Sequence, residues 1–308
     1  MERALVTGGA GFIGSHLVEA LLDSGTEVLV VDNFQLGKRE HLGQGHSAGR
    51  VTVVEADIRN TGDLRPVADF APDVIFHMAA LHFIPYCNAH PAEALDVNVL
   101  GTDAVLRAAR AAPLKTFVFP SSGAIYGFGD GPWRETAPAR PDEIYGISKW
   151  MGERVMARFH ADRPEVRTVV ARLFNTYGPR ETNPHVLPEI MRALRQGKPL
   201  ELGNLWPKRD LIFVTDTAAA LVAAAAGDPG FDVFNVGTGT GTSIGEVVKA
   251  IEVITSSPLE VQQVAGRMRD GDGHLVADPR KLMETSGWRP RHDLVSGLRR
   301  LLEWEGLL

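Results

Sequence analysis

Residues 7–15 read TGGAGFIGS, and their place in the chain restricts the fold more than any other feature. They follow a short apolar run, Ala4–Thr7, and open a stretch, Gly14–Ser24, that carries Leu17, Leu21 and Leu22 on one helical face. Gly8, Gly11 and Gly14 therefore stand between a strand and a helix. Glycines there allow a tight turn and close approach of backbone to a pyrophosphate. The helix N-terminus then offers unpaired N–H groups to the anion. A glycine-rich turn alone is weak evidence; one placed at the first strand of an alternating pattern is strong.

The alternation is clear. Val28–Asp32, Val51–Glu55, Val74–His77, Phe117–Pro120 and Val169–Leu173 are short runs rich in Val, Ile, Leu and Phe, each bounded by Gly, Pro, Asp or Ser. They read as buried parallel strands. Pro91–Ala112 reads as a helix with Pro in its first turn. The pattern predicts an α/β protein built on a Rossmann-type doubly wound parallel sheet with right-handed crossovers. After about residue 174 the texture changes. NTYGPRETNPHVLPE (175–189) reads as loop. Helices are expected at Leu187–Gln196, Asp216–Ala226, Ser243–Ile254 and Val295–Trp304, and short strands at Leu200–Leu202, Val233–Val236 and Leu259–Gln263. The expectation is a first domain over 1–173 and a smaller C-terminal α/β lobe over 174–308, with segments near 211–236 returning to the first.

Asp32 ends the second strand, where an acid accepts hydrogen bonds from both ribose hydroxyls and repels a 2′-phosphate. The expected cofactor is NAD, bound by the first domain. Lys38 and Arg39 read as a solvated loop. Asp57-Ile58 ends the third strand, where Asp57 is either an adenine neighbour or a helix N-cap. A net charge of −6 argues against a nucleic-acid surface. No apolar run is long enough for a membrane span, and the start reads directly into a strand, so no membrane partner is expected. The single cysteine, Cys87, fits a cytoplasmic setting and reads as a buried filler. No spacing of His, Cys or Asp suggests a metal site.

YGISK (145–149) places Tyr145 and Lys149 four apart, on one helical face. A phenol with a reference pKa of about 10 is a poor base at neutral pH. A neighbouring ammonium and a cationic nicotinamide both favour the phenolate. Lys149 can also hold the nicotinamide ribose. Tyr145 can then take a proton from a substrate hydroxyl as the carbinol is oxidised by NAD.

TGGAGFIGS, Asp32, HMAA (77–80), SSGAIYG (121–127), YGISK, NTYGPR (175–180) and KRDLIFVTD (208–216) together resemble the extended short-chain dehydrogenase/reductase family. Within it, the chain is similar to the NAD-dependent nucleotide-sugar epimerase/dehydratase branch, over nearly its full length. The resemblance implies a nucleotide-sugar substrate, UDP-linked, and a homodimer built on helices at 91–112 and 145–160. It implies that Ser122 shuttles or orients the proton of the sugar 4-hydroxyl, with Tyr145 as base and Lys149 as its electrostatic partner. It places Phe12, Ile13, Asn33, Ala79, Ala80 and Asn98 with the glycines, Asp32, Asp57 and Ile58 around NAD. Asn175 matches a residue that holds the nucleotide sugar, Arg209 one on the diphosphate, and Arg269 with Asp272 a phosphate and ribose clamp. A guanidinium on a diphosphate also makes independent physical sense. His82 and Tyr86 depart from the commonest family pattern in a stretch that faces nicotinamide and sugar. His82 and His185 are further substrate candidates; His77 reads as a structural histidine.

The family shares one first step, oxidation at C4 to a ketone. Relatives that dehydrate or decarboxylate carry acidic residues just after the catalytic hydroxyl. Here those positions are Gly123 and Ala124, whose side chains cannot move a proton. The expectation is a 4-epimerase acting on a UDP-hexose, UDP-hexuronate or N-acetyl derivative. A 4,6-dehydratase with relocated groups and a 4-keto-reductase or dehydrogenase stay open, and a non-catalytic NAD-sensing protein is the reading from another class.

Overall fold

Arg3–Thr7 forms the first strand, β1, and its side chains divide between two cores. Ala4 and Val6 face one side of the sheet and Leu5 the other. β2 (Glu27–Asp32), β3 (Val51–Glu55), β4 (Val74–His77), β5 (Thr116–Ser122) and β6 (Arg167–Leu173) follow. The alternation continues along them: Val28, Val30, Val74 and Phe76 join the first core, and Leu29, Val31, Ile75 and Phe117 the second. Successive strand residues point to opposite faces, so continuous apolar runs require cover on both. Helices Phe12–Asp23 and Val214–Ala225 cover one face; Gly101–Ala108 and Ile144–Asp162 cover the other. The computed structural model describes residues 1–43, 49–267 and 273–308.

β7 (Asn175–Tyr177), β8 (Leu200–Leu202), β9 (Lys208–Phe213), β10 (Phe231–Val236), β11 (Gly241–Ser243) and β12 (Val261–Gln263) complete the strands described. The large sheet runs β10-β6-β5-β4-β1-β2-β3, all parallel. Strand order reverses between β1 and β4, so a crevice opens there at the carboxyl ends of the strands. β11-β9-β7 form a small sheet and β12-β8 a pair. They pack with helices Val186–Gln196, Ile244–Thr255 and Leu294–Trp304 around a third core containing Leu187, Phe213, Val247 and Leu298. Ser243 and Glu246 form a capping box that starts Ile244–Thr255. No helix among the described residues is long and apolar enough to cross a membrane.

Three local expectations need correction. The single helix expected from Pro91 to Ala112 is instead Pro91–Leu95, a π-turn at Asp96–Leu100, and Gly101–Ala108. The wider turn leaves Asn98 buried with its amide bonded in both directions to Leu81. The helix then passes so close to Ile58 that a Cβ on Gly101 falls 2.6 Å from its side chain. The stretch read as loop after residue 174 begins with β7, which pairs in parallel with β9. The strand expected from Leu259 spans only Val261–Gln263.

Candidate active site

The crevice between β1 and β4 opens into a cleft of about 1310 Å³. Gly8, Gly11, Phe12, Ile13, Gly14, Asp32, Asn33, Asp57, Ile58, Ala79 and Ala80 all line it. The glycine loop packs backbone on backbone. Gly8 has φ +67°, and a Cβ there falls 2.7 Å from the Ala79 nitrogen. A Cβ on Gly14 falls 2.1 Å from the Gly8 carbonyl oxygen. The loop thus lies flat over the N-terminus of Phe12–Asp23, a cradle that fits a pyrophosphate. Gly14→Ala must push the Gly8 carbonyl aside. It is expected to reduce dinucleotide affinity by more than about tenfold, measured by equilibrium titration of the folded variant. Unchanged affinity would show that the loop is not the phosphate cradle.

Asp32 is buried at the end of β2. Its Oδ2 accepts from the Ala10 N–H at 2.9 Å and its Oδ1 from the Phe34 N–H at 2.8 Å. Burial raises its pKa above the usual carboxylate value, and these two donors work against that rise. Each oxygen keeps acceptor capacity for a ribose hydroxyl. Arg39 pairs with Glu55 and lies 4.1 Å above the Phe34 ring, while Lys38 lies 4.0 Å from Glu40. Asp57 caps no helix, since the next one starts at Arg65, and it stays in the cleft lining. It binds Arg59 through both oxygens at 2.9 and 2.7 Å and accepts the Arg59 N–H at 2.9 Å. That pairing with Arg59 lowers its pKa to about 2. Asn98 lies behind the cleft wall. Besides Leu81 it bonds the Ser148 hydroxyl at 2.9 Å, and so ties the loop after β4 to the helix that carries Tyr145.

Tyr145, Lys149 and Glu153 follow one another at four-residue spacing along Ile144–Asp162, on the face toward β5. β5 ends in Ser121-Ser122 and turns through a 3-10 turn, Gly123–Tyr126. The Ser122 hydroxyl accepts from the Ala124 N–H at 3.1 Å and is hydrogen-bonded to the Tyr145 phenol. Burial pushes Tyr145 up to about 12 despite the Ser122 bond, which pulls the other way. Lys149 is 4% exposed; its Nζ donates to the Pro120 carbonyl at 2.8 Å, and burial lowers its pKa to about 8. Tyr145, Ser122 and Lys149 all line the cleft. A Cβ on Gly123 would lie 3.1 Å from the Phe174 ring, so a side chain there requires the ring to give by a few tenths of an ångström.

The opposite wall comes from the second half of the chain. Asn175, His185 and Arg209 line it. Arg209 donates to the Gly273 carbonyl at 3.0 Å and lies 4.4 Å over the Phe128 ring. Arg269 and Asp272 lie outside the described residues. His82 also lines the cleft, but its Nε2 meets the Asn183 amide at 2.8 Å and its other nitrogen bonds the Ala80 carbonyl. It therefore offers the cleft its ring more than a polar atom. His77 is structural: Thr7 and Thr102 hold its nitrogens at 2.8 and 3.0 Å, and burial lowers its pKa to about 3. Cys87 is buried, with its thiol pKa raised by burial. Trp206 is exposed. Sequence reasoning missed Glu181 and Asn183. Glu181 lines the cleft, with Oε1 accepting from the Asn183 N–H at 3.0 Å and Oε2 3.4 Å from His185 Nδ1. Its only local sign is polar density in a loop.

The family model described as NAD dependent epimerase/dehydratase family matches residues 4–237. The chain is 35% identical to a UDP-glucose 4-epimerase of Rhizobium leguminosarum bv. trifolii, over 98% of this chain and 97% of that one. It resembles the crystal structure of the UDP-glucose 4-epimerase of Thermus thermophilus in complex with NAD, with TM-score 0.88, 34% identity and 99% of each chain covered. It also resembles the UDP-glucuronic acid 4-epimerase of Bacillus cereus, in complex with UDP-glucuronic acid and NAD, with TM-score 0.88, 26% identity and 99% of each chain covered.

Proposed function

The chain belongs to the NAD dependent epimerase/dehydratase family, with NAD as cofactor, and from that premise we propose that it is a nucleotide-sugar 4-epimerase acting on a UDP-linked hexose. The observation that carries this reading is the set of neighbours around Tyr145. Ser122 and Lys149 stand beside it, while Gly123 and Ala124 bring no second proton-moving group. NAD, when bound, supplies the hydride acceptor and then the hydride donor for the sugar C4. Tyr145 removes the proton of the 4-hydroxyl. Ser122 orients that hydroxyl through its link to the phenol, and Lys149 supports the phenolate by its charge. The 4-keto sugar turns its other face toward the cofactor, and Tyr145 returns the proton. Asn175 holds the nucleotide sugar and Arg209 the diphosphate, and Arg269 with Asp272, outside the described residues, remain the phosphate and ribose clamp that the resemblance implies. Residues 1–173, with the segment near 211–236, hold NAD; residues 174–308 mainly hold the nucleotide sugar.

The test is product analysis with a panel of UDP-hexoses. Interconversion of C4 epimers without net NADH is the expected result. Stoichiometric NADH release would make the protein a dehydrogenase, and a product absorbing in alkali as a 4-keto-6-deoxy sugar would make it a dehydratase. The reading includes a homodimer. Leu100, Trp150 and Met151 are exposed on the helices at 96–108 and 144–162, which suits helix pairing between two copies. Sedimentation should give twice the mass of one chain; a monomer mass would rule this out.

A further inference from the structure

The loop between β7 and the helix Val186–Gln196 is held in place before any substrate arrives. Arg180, at φ +71°, donates to the Ser15 hydroxyl at 3.2 Å and to Glu19 Oε1 at 2.5 Å. Asn183 ties the loop across the cleft to His82. Between these anchors the Glu181 carboxylate lines the cleft, its side chain only 6% exposed. Burial opposes its charge. The bond from His185 and the Asn183 N–H work against that and hold its pKa below the ordinary carboxylate value, so Glu181 is an anion at neutral pH. Its neighbour His82 is neutral. The Asn183 amide donates to Nε2, which leaves the ring proton on Nδ1, where it bonds the Ala80 carbonyl. The cluster also borders the catalytic helix: Leu81, next to His82, is tied through Asn98 to Ser148, the residue before Lys149, and His82, Tyr145 and Lys149 line the same cleft.

On the reading that the cleft takes a sugar nucleotide, we infer that Glu181 makes its sugar end selective for uncharged hexoses over hexuronates. A sugar carboxylate entering beside Glu181 meets a like charge in a partly desolvated site, where such pairs are costly. A sugar hydroxyl instead finds an acceptor, because the two bonds to Glu181 leave lone pairs unused. The cations elsewhere on the wall have acidic or backbone partners: Arg192 lies 3.4 Å from Glu189, Arg195 pairs with Glu305, and Lys149 donates to Pro120. Glu181 is a poor candidate for a dehydration base, since the groups that stabilise its charge weaken it as a base.

Equilibrium binding tests this apart from turnover. NAD-loaded protein in a Tyr145→Phe background is titrated with UDP-glucose and with UDP-glucuronate. The unmodified loop should bind UDP-glucose at least about tenfold more tightly. Glu181→Gln keeps the acceptor for the Asn183 N–H and removes the charge, and should shrink that ratio by about tenfold. Equal binding of the two sugars by the parent overturns the inference, whether or not the variant folds. So does a ratio within about twofold of the parent in a folded Glu181→Gln protein. If product analysis instead reveals dehydration, the epimerase reading fails while the binding preference stands or falls by itself.

Discussion

Tyr145→Phe is expected to lower kcat by about 10³-fold and to leave bound NAD unchanged. The substitution removes one oxygen at the point where Ser122, the phenol and the cleft meet. It leaves the glycine loop, Asp32 and the Lys149 bond to Pro120 in place, because none of these depends on the phenol. Burial leaves Tyr145 at about 12, so it is protonated at neutral pH when nothing else acts on it. On the proposed mechanism its use as a base depends on positive charge nearby, which Lys149 and the nicotinamide would supply. Lys149→Met is accordingly a harsher change, since it removes both the charge and the Pro120 bond. The measurement is a coupled epimerase assay beside a spectrum of the bound dinucleotide. A Tyr145→Phe enzyme working within about tenfold of wild type would show that another group removes the proton.

The parts of this site that are legible in the sequence are those whose spacing is local. TGGAGFIGS and YGISK each declare their geometry within one turn of backbone, and the apolar runs declare which strands are buried on both faces. What is not legible depends on contacts between distant segments. Asn183 meets His82 across 101 positions, and nothing near either residue announces the other. Glu181 therefore reads as one polar residue in a polar loop. Asn98 reads as a cofactor neighbour, because the π-turn that commits its amide to Leu81 and Ser148 breaks the ordinary helical count. Asp57 reads as a cap or an adenine neighbour although Arg59 is two residues away, because ion pairing competes with capping and spacing alone does not decide between them. Nothing in the sequence singles out Glu153, yet it is fully buried.

That buried charge leads to the second large effect, in stability. Glu153 Oε1 accepts from the Ser121 hydroxyl at 2.6 Å and from Arg172 Nε at 2.9 Å, and Oε2 accepts from Arg172 Nη2 at 2.8 Å. Arg172 also reaches the Tyr126 hydroxyl at 2.7 Å and the Glu135 carbonyl at 2.9 Å, and Tyr126 donates to Asn235 at 2.8 Å. One ion pair thus joins β5, β6, β10 and the helix that carries Tyr145. Arg172→Met leaves the Glu153 carboxylate buried beside the Ser121 hydroxyl without its cation, and is expected to destabilise the fold by about 3–5 kcal/mol. That corresponds to a drop in melting temperature on the order of 10 °C. Pairing it with Glu153→Leu removes the stranded charge and should recover most of the loss. Thermal melting of the single and double variants decides. A single variant within about 1 kcal/mol of wild type would mean that the pair adds little to the fold. If the double variant regains stability but remains slow, the pair also positions the site. Ser121 would then have lost its anchor next to Ser122, and Tyr145 would lie on a helix no longer tied to the strand end it must meet.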